Sequence, residues 1–342
     1  MTRVRVVLSQ FPPGTGWDPV TLMGELLAES LSAELVRVPH AATDARWRRG
    51  LAVLPRRRGT DVTIVVAPQP VHLAAMLDAH HWLSGSAMVA GWVIDAFWTD
   101  RIPRMARRGG HLDHLFVTDA EVMLPWRQAT GVPTSWLPWG TDAWRHGSRA
   151  DDRPVDLQRI GRQPAGWDHD ETVAARLARD ELTFAGRPPF AAAVADNLAL
   201  VHRAMARAKY VLAFSNRFSP AAYTHPDREY LTGRWLDALA NGAGLAGIPP
   251  RCAAAERLLW PGALVELGIE PETATITTLR EAANAWTPGF AAQTHRRALQ
   301  TLDWRWRFGE LVTTLGLDAP VLTEQLAAIE RECSPGSDRT AR

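Results

Sequence analysis

The chain has 342 residues, more than one hydrophobic core usually organises, so two domains of about 150 residues each are expected. Its net charge is only +1 and 46% of its residues are hydrophobic, which gives no electrostatic case for binding nucleic acid or an acidic membrane surface. The two cysteines, Cys252 and Cys333, lie far apart and lack metal-ligand or redox spacing. The N-terminal apolar run is too short for a secretion signal, and no stretch is long enough to cross a bilayer. We therefore expect a cytoplasmic protein without a transmembrane segment.

Short apolar runs alternate with amphipathic patterns along the first half of the chain. This alternation predicts a parallel sheet covered by helices. The first strand is expected at 4–8 and the first helix at 20–31. Further strands are expected at 61–67, 87–94, 114–118 and 134–137.

Two positions in this half follow predicted strands, where open α/β sheets bind ligands. The loop after the first strand contains Gly14 and Gly16 but lacks the three-glycine dinucleotide fingerprint, so it does not support a nicotinamide cofactor. This loop either closes over a substrate phosphate or is a plain turn. Asp95 follows the strand at 87–94 and is either a hydrogen-bond acceptor or base for an acceptor hydroxyl, or an ordinary helix cap.

The polar, turn-rich segment at 146–154 predicts a linker, after which a second alternating series begins. We expect an N-terminal domain at 1–147, a C-terminal domain at 148–310, and a C-terminal helix and polar tail at 311–342. The second series predicts strands at 155–160, 182–185, 209–214 and 244–248 and helices at 170–179 and 190–207. A further helical stretch rich in Trp and Arg is predicted at 288–315.

The segment at 225–250 carries the strongest functional signal. Its apolar spacing predicts a helix that ends at Gly242, followed by a strand. Thr232 and Gly233 then lie at the helix N-terminus, where unpaired N–H groups and the helix dipole favour an anion such as a diphosphate. Arg234 is expected to add a guanidinium charge to the same phosphate oxygens.

Two acids lie eight positions apart around the start of this helix. Asp237, inside the helix, is suited to binding ribose hydroxyls, and Glu229, on the loop before it, is expected to face a sugar beyond the phosphates. The same loop supplies Asn216, His225 and Tyr230 as further candidate substrate-binding residues. The alternative interpretation is an ordinary surface helix with a charged first turn.

The segment at 225–250 resembles the donor site of GT-B glycosyltransferases, especially the retaining group, in which two acids are separated by seven residues. Both acids are usually Glu in that pattern, so Asp237 is a departure that shortens the side chain by one methylene. Gly161 and Arg162 follow the strand at 155–160, as Gly and Arg do in the family, where the Arg reaches the donor diphosphate. The Lys that often follows several residues later in the family has no counterpart in this chain. Asp142 lies in a turn that resembles the end of the first GT-B domain.

The resemblance implies an α/β fold of the GT-B type, with two Rossmann-like parallel-sheet domains facing across a cleft. It implies transfer of a sugar from a nucleoside-diphosphate sugar to a small-molecule or glycan acceptor, with retention. We expect no metal or other cofactor if backbone N–H groups and arginines neutralise the leaving diphosphate. The donor helix also resembles bacterial spore-maturation and secondary-metabolite glycosyltransferase-like proteins, which suggests secondary metabolism or surface glycan synthesis.

We expect Glu229, Arg162 and Asp95 to be catalytic. The expected substrate-binding residues are Asp237, Thr232, Gly233, Arg234, Gly161, Gly14, Gly16, Asn216, His225 and Tyr230. Two alternatives remain for the chain as a whole: a non-catalytic glycosyltransferase-like partner protein, and a nucleotide-sugar epimerase on the same fold.

Overall fold

The computed structural model describes residues 3–11, 16–39, 59–73, 86–103, 106, 111–191 and 193–334. Gly14 and the predicted polar tail from residue 335 onwards lie outside the described residues. The chain divides into two compact units. Unit 1 is Met1–Pro138 with Arg307–Ala327, and unit 2 is Trp139–Trp306 with Ala328–Arg342.

Unit 1 is built on a six-stranded sheet in which all neighbouring strands are parallel. Its strands are β1 (Val4–Gln10), β2 (Glu34–Pro39), β3 (Asp61–Ala67), β4 (Ser86–Val93), β5 (His114–Val117) and β6 (Thr134–Trp136). Helix α1 (Asp18–Ser30) connects β1 to β2, and α2 (Met123–Thr130) connects β5 to β6. Six of the seven residues of β3 are buried, as is typical of a parallel strand inside a sheet.

Unit 2 contains a five-stranded sheet that is also parallel throughout. Its strands are β7 (Val155–Arg159), β8 (Phe184–Ala185), β9 (Ala208–Phe214), β10 (Gly244–Ile248) and β11 (Leu264–Glu266). Its helices are α3 (Ala143–His146), α4 (Asp170–Ala178), α5 (Val194–Ala206), α6 (Gly233–Ala240), α7 (Ala253–Leu258), α8 (Thr273–Ala285) and α9 (Pro288–Thr301). Leu157, Trp167 and Phe214 are among the buried side chains of its core.

The last two helices are α10 (Trp304–Leu315) and α11 (Pro320–Cys333). The helical stretch predicted at 288–315 is therefore two helices, α9 and α10, with a break at Leu302 and Asp303. Among the described residues, none of the helices has the length and apolar character needed to cross a membrane.

The predicted fold class of two parallel-sheet α/β domains is confirmed by these two sheets. The strand orders are β2-β1-β3-β4-β5-β6 and β8-β7-β9-β10-β11, so in both sheets the first strand lies between the second and the third. This is a doubly wound arrangement, in which ligands bind outside the carboxyl ends of the strands where the order reverses. The reversal points are between β1 and β3 in unit 1 and between β7 and β9 in unit 2.

The division between the units falls at residue 138, ahead of the predicted boundary at 147. Long-range hydrogen bonds hold the residues just after 138 to the later part of unit 2. The Thr141 N–H donates to the Leu302 carbonyl at 2.9 Å, and Arg305 donates to the Asp142 carboxylate at 2.9 Å. The polar segment at 146–154, predicted as the linker, lies inside unit 2, because composition carries no signal for partners about 160 residues away.

Candidate functional site

The strand order places the expected ligand site of unit 2 at the carboxyl ends of β7 and β9. Gly161 and Arg162 follow β7 within two or three residues, and Ser215 follows β9 directly. The predicted residues of the 225–250 segment reach the same edge through hydrogen bonds to these loops.

Helix α6 begins at Gly233, as predicted, with Thr232 as its N-cap. The Thr232 side chain makes no capping hydrogen bond, and its buried Oγ1 has no hydrogen-bond partner among the residues that the structure describes. Buried hydroxyls are normally paired, and the first N–H groups of a helix lack intrahelical acceptors. The start of α6 therefore presents unsatisfied donors, which suit an anion.

Arg234 ties the start of α6 to the loop after β7. Its Nη1 donates to the carbonyl oxygens of Ile160 at 2.9 Å and Arg162 at 2.8 Å. Gly161, between them, has φ of +69°, a left-handed conformation that favours glycine. Burial lowers the pKa of the Arg234 guanidinium to about 10, and the positive charges of Arg162, Arg187 and Arg159 add to the fall. Nη1 of Arg234 thus holds the loop, so this nitrogen is not available to a phosphate.

Arg162 is held by the loop that connects β9 to α6. Its Nε donates to the Ser219 carbonyl at 2.5 Å, and its Nη1 donates to the Tyr223 hydroxyl. The guanidinium carbon also lies 5.0 Å from the centre of the Tyr223 ring, which is 67% exposed. Tyr223 was not predicted as a site residue, because a lone aromatic residue in a loop has no periodicity to single it out.

Glu229 is anchored by one of its two carboxylate oxygens. Its Oε2 accepts from the Ser215 hydroxyl at 2.6 Å and from the Arg251 N–H at 3.2 Å. These partners follow β9 and β10, so Glu229 lies at the carboxyl edge of the sheet. Its Oε1 makes no hydrogen bond within the described part of the chain, and it remains available to a ligand.

Asp237 is arranged in a similar way. Its Oδ1 accepts from the Thr141 hydroxyl at 2.6 Å, while Oδ2 lies on the side of Gly233, 3.7 Å from the position that a Cβ would take there. Burial raises the pKa of the Asp237 carboxyl. The nearby imidazole of His202, the hydrogen bond from Thr141 and the imidazole of His146 lower it by less. No pattern in the sequence connects Asp237 with Thr141, which is 96 residues away. We call Gly161, Arg162, Glu229, Thr232 and Asp237 together the unit 2 site.

Three other predicted donor-binding residues shape the loop before α6. The Asn216 amide donates to the carbonyls of His225 at 3.3 Å and Arg228 at 2.9 Å, and its oxygen accepts from the Tyr230 N–H at 3.3 Å. The His225 ring accepts from the N–H groups of Asp227 and Arg228 at 3.1 Å. These bonds give Asn216 and His225 structural roles, and direct contact of Asn216, His225 or Tyr230 with a donor stays a prediction.

Asp95 lies in unit 1, just beyond β4. Gln69, which follows the adjacent β3, donates to its Oδ2 at 3.5 Å, and burial raises the pKa of Asp95 to about 7 in spite of that bond. The next helix, Thr99–Arg101, has Trp98 as its N-cap, so Asp95 does not cap it. The carboxyl is poised to exchange a proton near neutral pH, which is what a general base needs.

Gly16 is exposed, and an added Cβ would have no heavy atom within 4 Å. No close approach of neighbouring atoms therefore requires glycine at this position. Across the residues with described placement, no group of three or more His, Cys, Asp or Glu side chains is positioned to hold a metal ion.

The raised pKa of Asp95 predicts a pH dependence of stability. Folded Asp95 stays protonated up to about pH 7, whereas the unfolded carboxyl ionises near 3.8. Between these values the folded state holds more protons, so wild-type protein should lose stability relative to Asp95→Asn as the pH rises, by at most about 1.4 kcal/mol per pH unit. Above about pH 7 the difference should level off. Urea unfolding of both proteins across this range measures it, and parallel curves would contradict it.

No family profile and no curated protein sequence matches this chain. Among solved structures, it is similar to the pneumococcal O-GlcNAc transferase GtfA in complex with UDP and GlcNAc, with a TM-score of 0.41, 12% identity, and coverage of 81% of this chain and 59% of that chain. It is similar to TarM, with a TM-score of 0.45, 9% identity, and coverage of 78% and 57%. It is also similar to the apo form of the lipopolysaccharide outer core galactosyltransferase WaaB, with a TM-score of 0.48, 11% identity, and coverage of 91% and 99%. This chain thus spans less than two thirds of the GtfA and TarM chains, and at identities this low no activity or substrate carries over to it.

Proposed function

We propose that this chain is a GT-B-type glycosyltransferase that moves a sugar from a nucleoside diphosphate to an acceptor hydroxyl or amine. The observation that supports this most directly is the buried, unpartnered Thr232 hydroxyl at the uncapped start of α6. Because Thr232 does not cap the helix, the first N–H groups of α6 have no side-chain acceptor there, and a diphosphate oxygen would accept hydrogen bonds from them. Arg162, on the loop that follows strand β7, supplies a cation for the same diphosphate.

In this proposal the two acids of the unit 2 site bind different parts of the donor. Asp237 accepts from ribose hydroxyls through Oδ2, while Thr141 holds its other oxygen. Glu229 accepts from the donor sugar through Oε1, while Ser215 and the Arg251 N–H hold its other oxygen. Because each carboxylate is fixed through one oxygen, little conformational entropy is lost when the second binds the donor.

The reaction we propose is transfer with retention. The bond between the anomeric carbon and the diphosphate oxygen breaks, and the nucleoside diphosphate leaves with the electron pair. The acceptor oxygen bonds to the same face of the sugar, and its proton passes to the leaving phosphate. Backbone N–H groups and arginines neutralise the leaving group, so the proposal requires no metal or other cofactor. We place the reaction in the cytoplasm, with a small-molecule or glycan acceptor from bacterial secondary metabolism or surface glycan synthesis.

Ligand binding provides the first test. A thermal-shift screen of the full chain with uridine, guanosine, adenosine and thymidine diphosphates and their sugars should give stabilisation by one of them, roughly 2.7 kcal/mol at 100 times the dissociation constant. Sugar transfer or donor hydrolysis by the pure protein would separate an enzyme from a non-catalytic partner protein. Conversion of the donor sugar without any acceptor would indicate an epimerase. No binding by any diphosphate would refute the proposal.

Asp237→Ala should raise the Michaelis constant for the donor roughly tenfold while lowering turnover much less. The lost hydrogen bonds to ribose are made in both the ground state and the transition state, and bonds to a charged group are worth about 1.5–3 kcal/mol. Steady-state kinetics over a range of donor concentrations measures the two constants. Asp196→Ala, which removes an exposed acid from α5, is the matched control. An unchanged Michaelis constant in a correctly folded variant would remove Asp237 from the site.

A further inference from the structure

Arg187 lies in a loop at the same edge of the sheet as the unit 2 site. Strand β8 pairs in parallel with β7, with Gln158 opposite Ala185. Because parallel strands end at the same edge, the loop after β8 leaves the sheet beside the loop that carries Arg162. Arg187 is the second residue after β8.

The loop that carries Arg187 is held at defined positions. The buried Gln158 amide donates to the carbonyls of Ala185 at 3.2 Å and Gly186 at 2.7 Å. The Arg187 N–H donates to Asp170 at 3.0 Å, and Pro188 restricts the backbone of the residue before it. The origin of the Arg187 side chain is therefore fixed at the edge of the sheet.

The acids near this loop are already paired. Asp170 accepts from Arg159 at 2.7 Å, and Asp168 also forms an ion pair with Arg159. Arg187 is exposed, and its guanidinium forms no ion pair or hydrogen bond with any described residue. The charge of Arg187 nevertheless acts on the site. Burial and the charge of Arg162 are the largest causes that lower the pKa of Arg234, and the charge of Arg187 lowers it further.

Three arginines at this edge, Arg162, Arg187 and Arg234, form no ion pair with a carboxylate among the described residues. Asp168 and Asp170 are both paired with a fourth, Arg159. A diphosphate can pair with such cations, whereas a neutral sugar cannot.

We propose that Arg187 is a second phosphate-binding cation, which contacts the ligand diphosphate from the β8 side while Arg162 contacts it from the β7 side. This inference rests on the proposed function, because it assumes a diphosphate at the start of α6. It assigns Arg187 to the phosphates and to neither the base nor the sugar.

Isothermal calorimetry on the full chain tests the assignment. The probes are uridine, guanosine, adenosine and thymidine diphosphates, the matching nucleosides, and inorganic pyrophosphate, each at two salt concentrations. Arg187→Ala should weaken binding of the preferred diphosphate roughly fivefold at low salt, the upper range for an exposed charge pair. The loss should shrink at high salt, pyrophosphate should be weakened in parallel, and nucleoside binding should not change. Arg187→Lys should retain part of the affinity, because it keeps the charge but not the planar fork.

Arg179→Ala is the control, since Arg179 is an exposed arginine at the end of α4. Equal diphosphate binding by wild type and Arg187→Ala would overturn this inference alone. An equal loss of nucleoside affinity would also overturn it, because Arg187 would then act on the base. Failure of all four diphosphates to bind the wild type would refute the proposed function and this inference with it.

Discussion

Arg162→Ala should lower turnover by roughly 100-fold or more, because removing one positioned electrostatic group from a developing charge typically costs that much. The negative charge on the leaving diphosphate grows as the sugar departs, so Arg162 stabilises the transition state more than the bound donor. Single-turnover measurements at saturating donor isolate this step from binding. Arg162→Lys should recover only part of the rate, because a lysine cannot reproduce the planar guanidinium.

The contacts of Arg162 supply an internal control for this experiment. Tyr223→Phe removes the hydroxyl that accepts from Nη1 but keeps the aromatic ring and the Ser219 contact. If Arg162 acts only in transition-state stabilisation, this variant should be affected far less than Arg162→Ala. Near-normal turnover in Arg162→Ala would mean that another group carries the charge of the leaving diphosphate.

The sequence predicts the local parts of unit 2 well. The strand at 244–248 and the start of α6 at Gly233 agree with the structure to the residue. Both depend on near neighbours: hydrophobic runs, the apolar spacing of a helix, and glycine at helix ends. The conformation of Gly161, which has positive φ, is local in the same sense.

The long-range parts could not be predicted in this way. The Thr141 bond to Asp237 spans 96 residues and the Arg305 bond to Asp142 spans 163, and no periodicity connects such positions. Arg234 shows the limit most clearly. The position of Arg234 at the start of the helix predicts that it binds a phosphate. In the structure its Nη1 instead donates to the carbonyl oxygens of Ile160 and Arg162. The sequence places a charged residue near a site, whereas the bond partners decide whether it faces the ligand or the fold.

Glu229 and Asp237 illustrate the same distinction between two acids of one segment. Glu229 is anchored through Ser215 and Arg251, which follow β9 and β10, and Asp237 is anchored through Thr141, which lies at the N-terminal end of unit 2. Their supports are independent of each other. A substitution at one should therefore leave the position of the other unchanged, so that their functions can be measured separately.

Glu229→Gln should lower turnover roughly 100-fold while the affinity for the bare nucleoside diphosphate stays within about threefold of wild type. The substitution keeps the size of the side chain and one hydrogen-bond acceptor, so the Ser215 contact survives. It removes the negative charge that would support a positively charged sugar in the transition state. Calorimetry with the nucleoside diphosphate, which has no sugar for Glu229 to contact, isolates the nucleotide part of the site.

Asp237→Ala should give the opposite result in the same two assays, because its proposed ligand is the ribose that the diphosphate retains. Calorimetry should show roughly tenfold weaker binding, and turnover at saturating donor should stay near the wild-type value. The two variants thus predict a crossed pattern that general destabilisation cannot produce, since a partly unfolded protein loses binding and turnover together. If Glu229→Gln weakens the nucleoside diphosphate as much as Asp237→Ala does, Glu229 does not face the donor sugar, and the segment is a nucleotide-binding surface without the proposed division of roles.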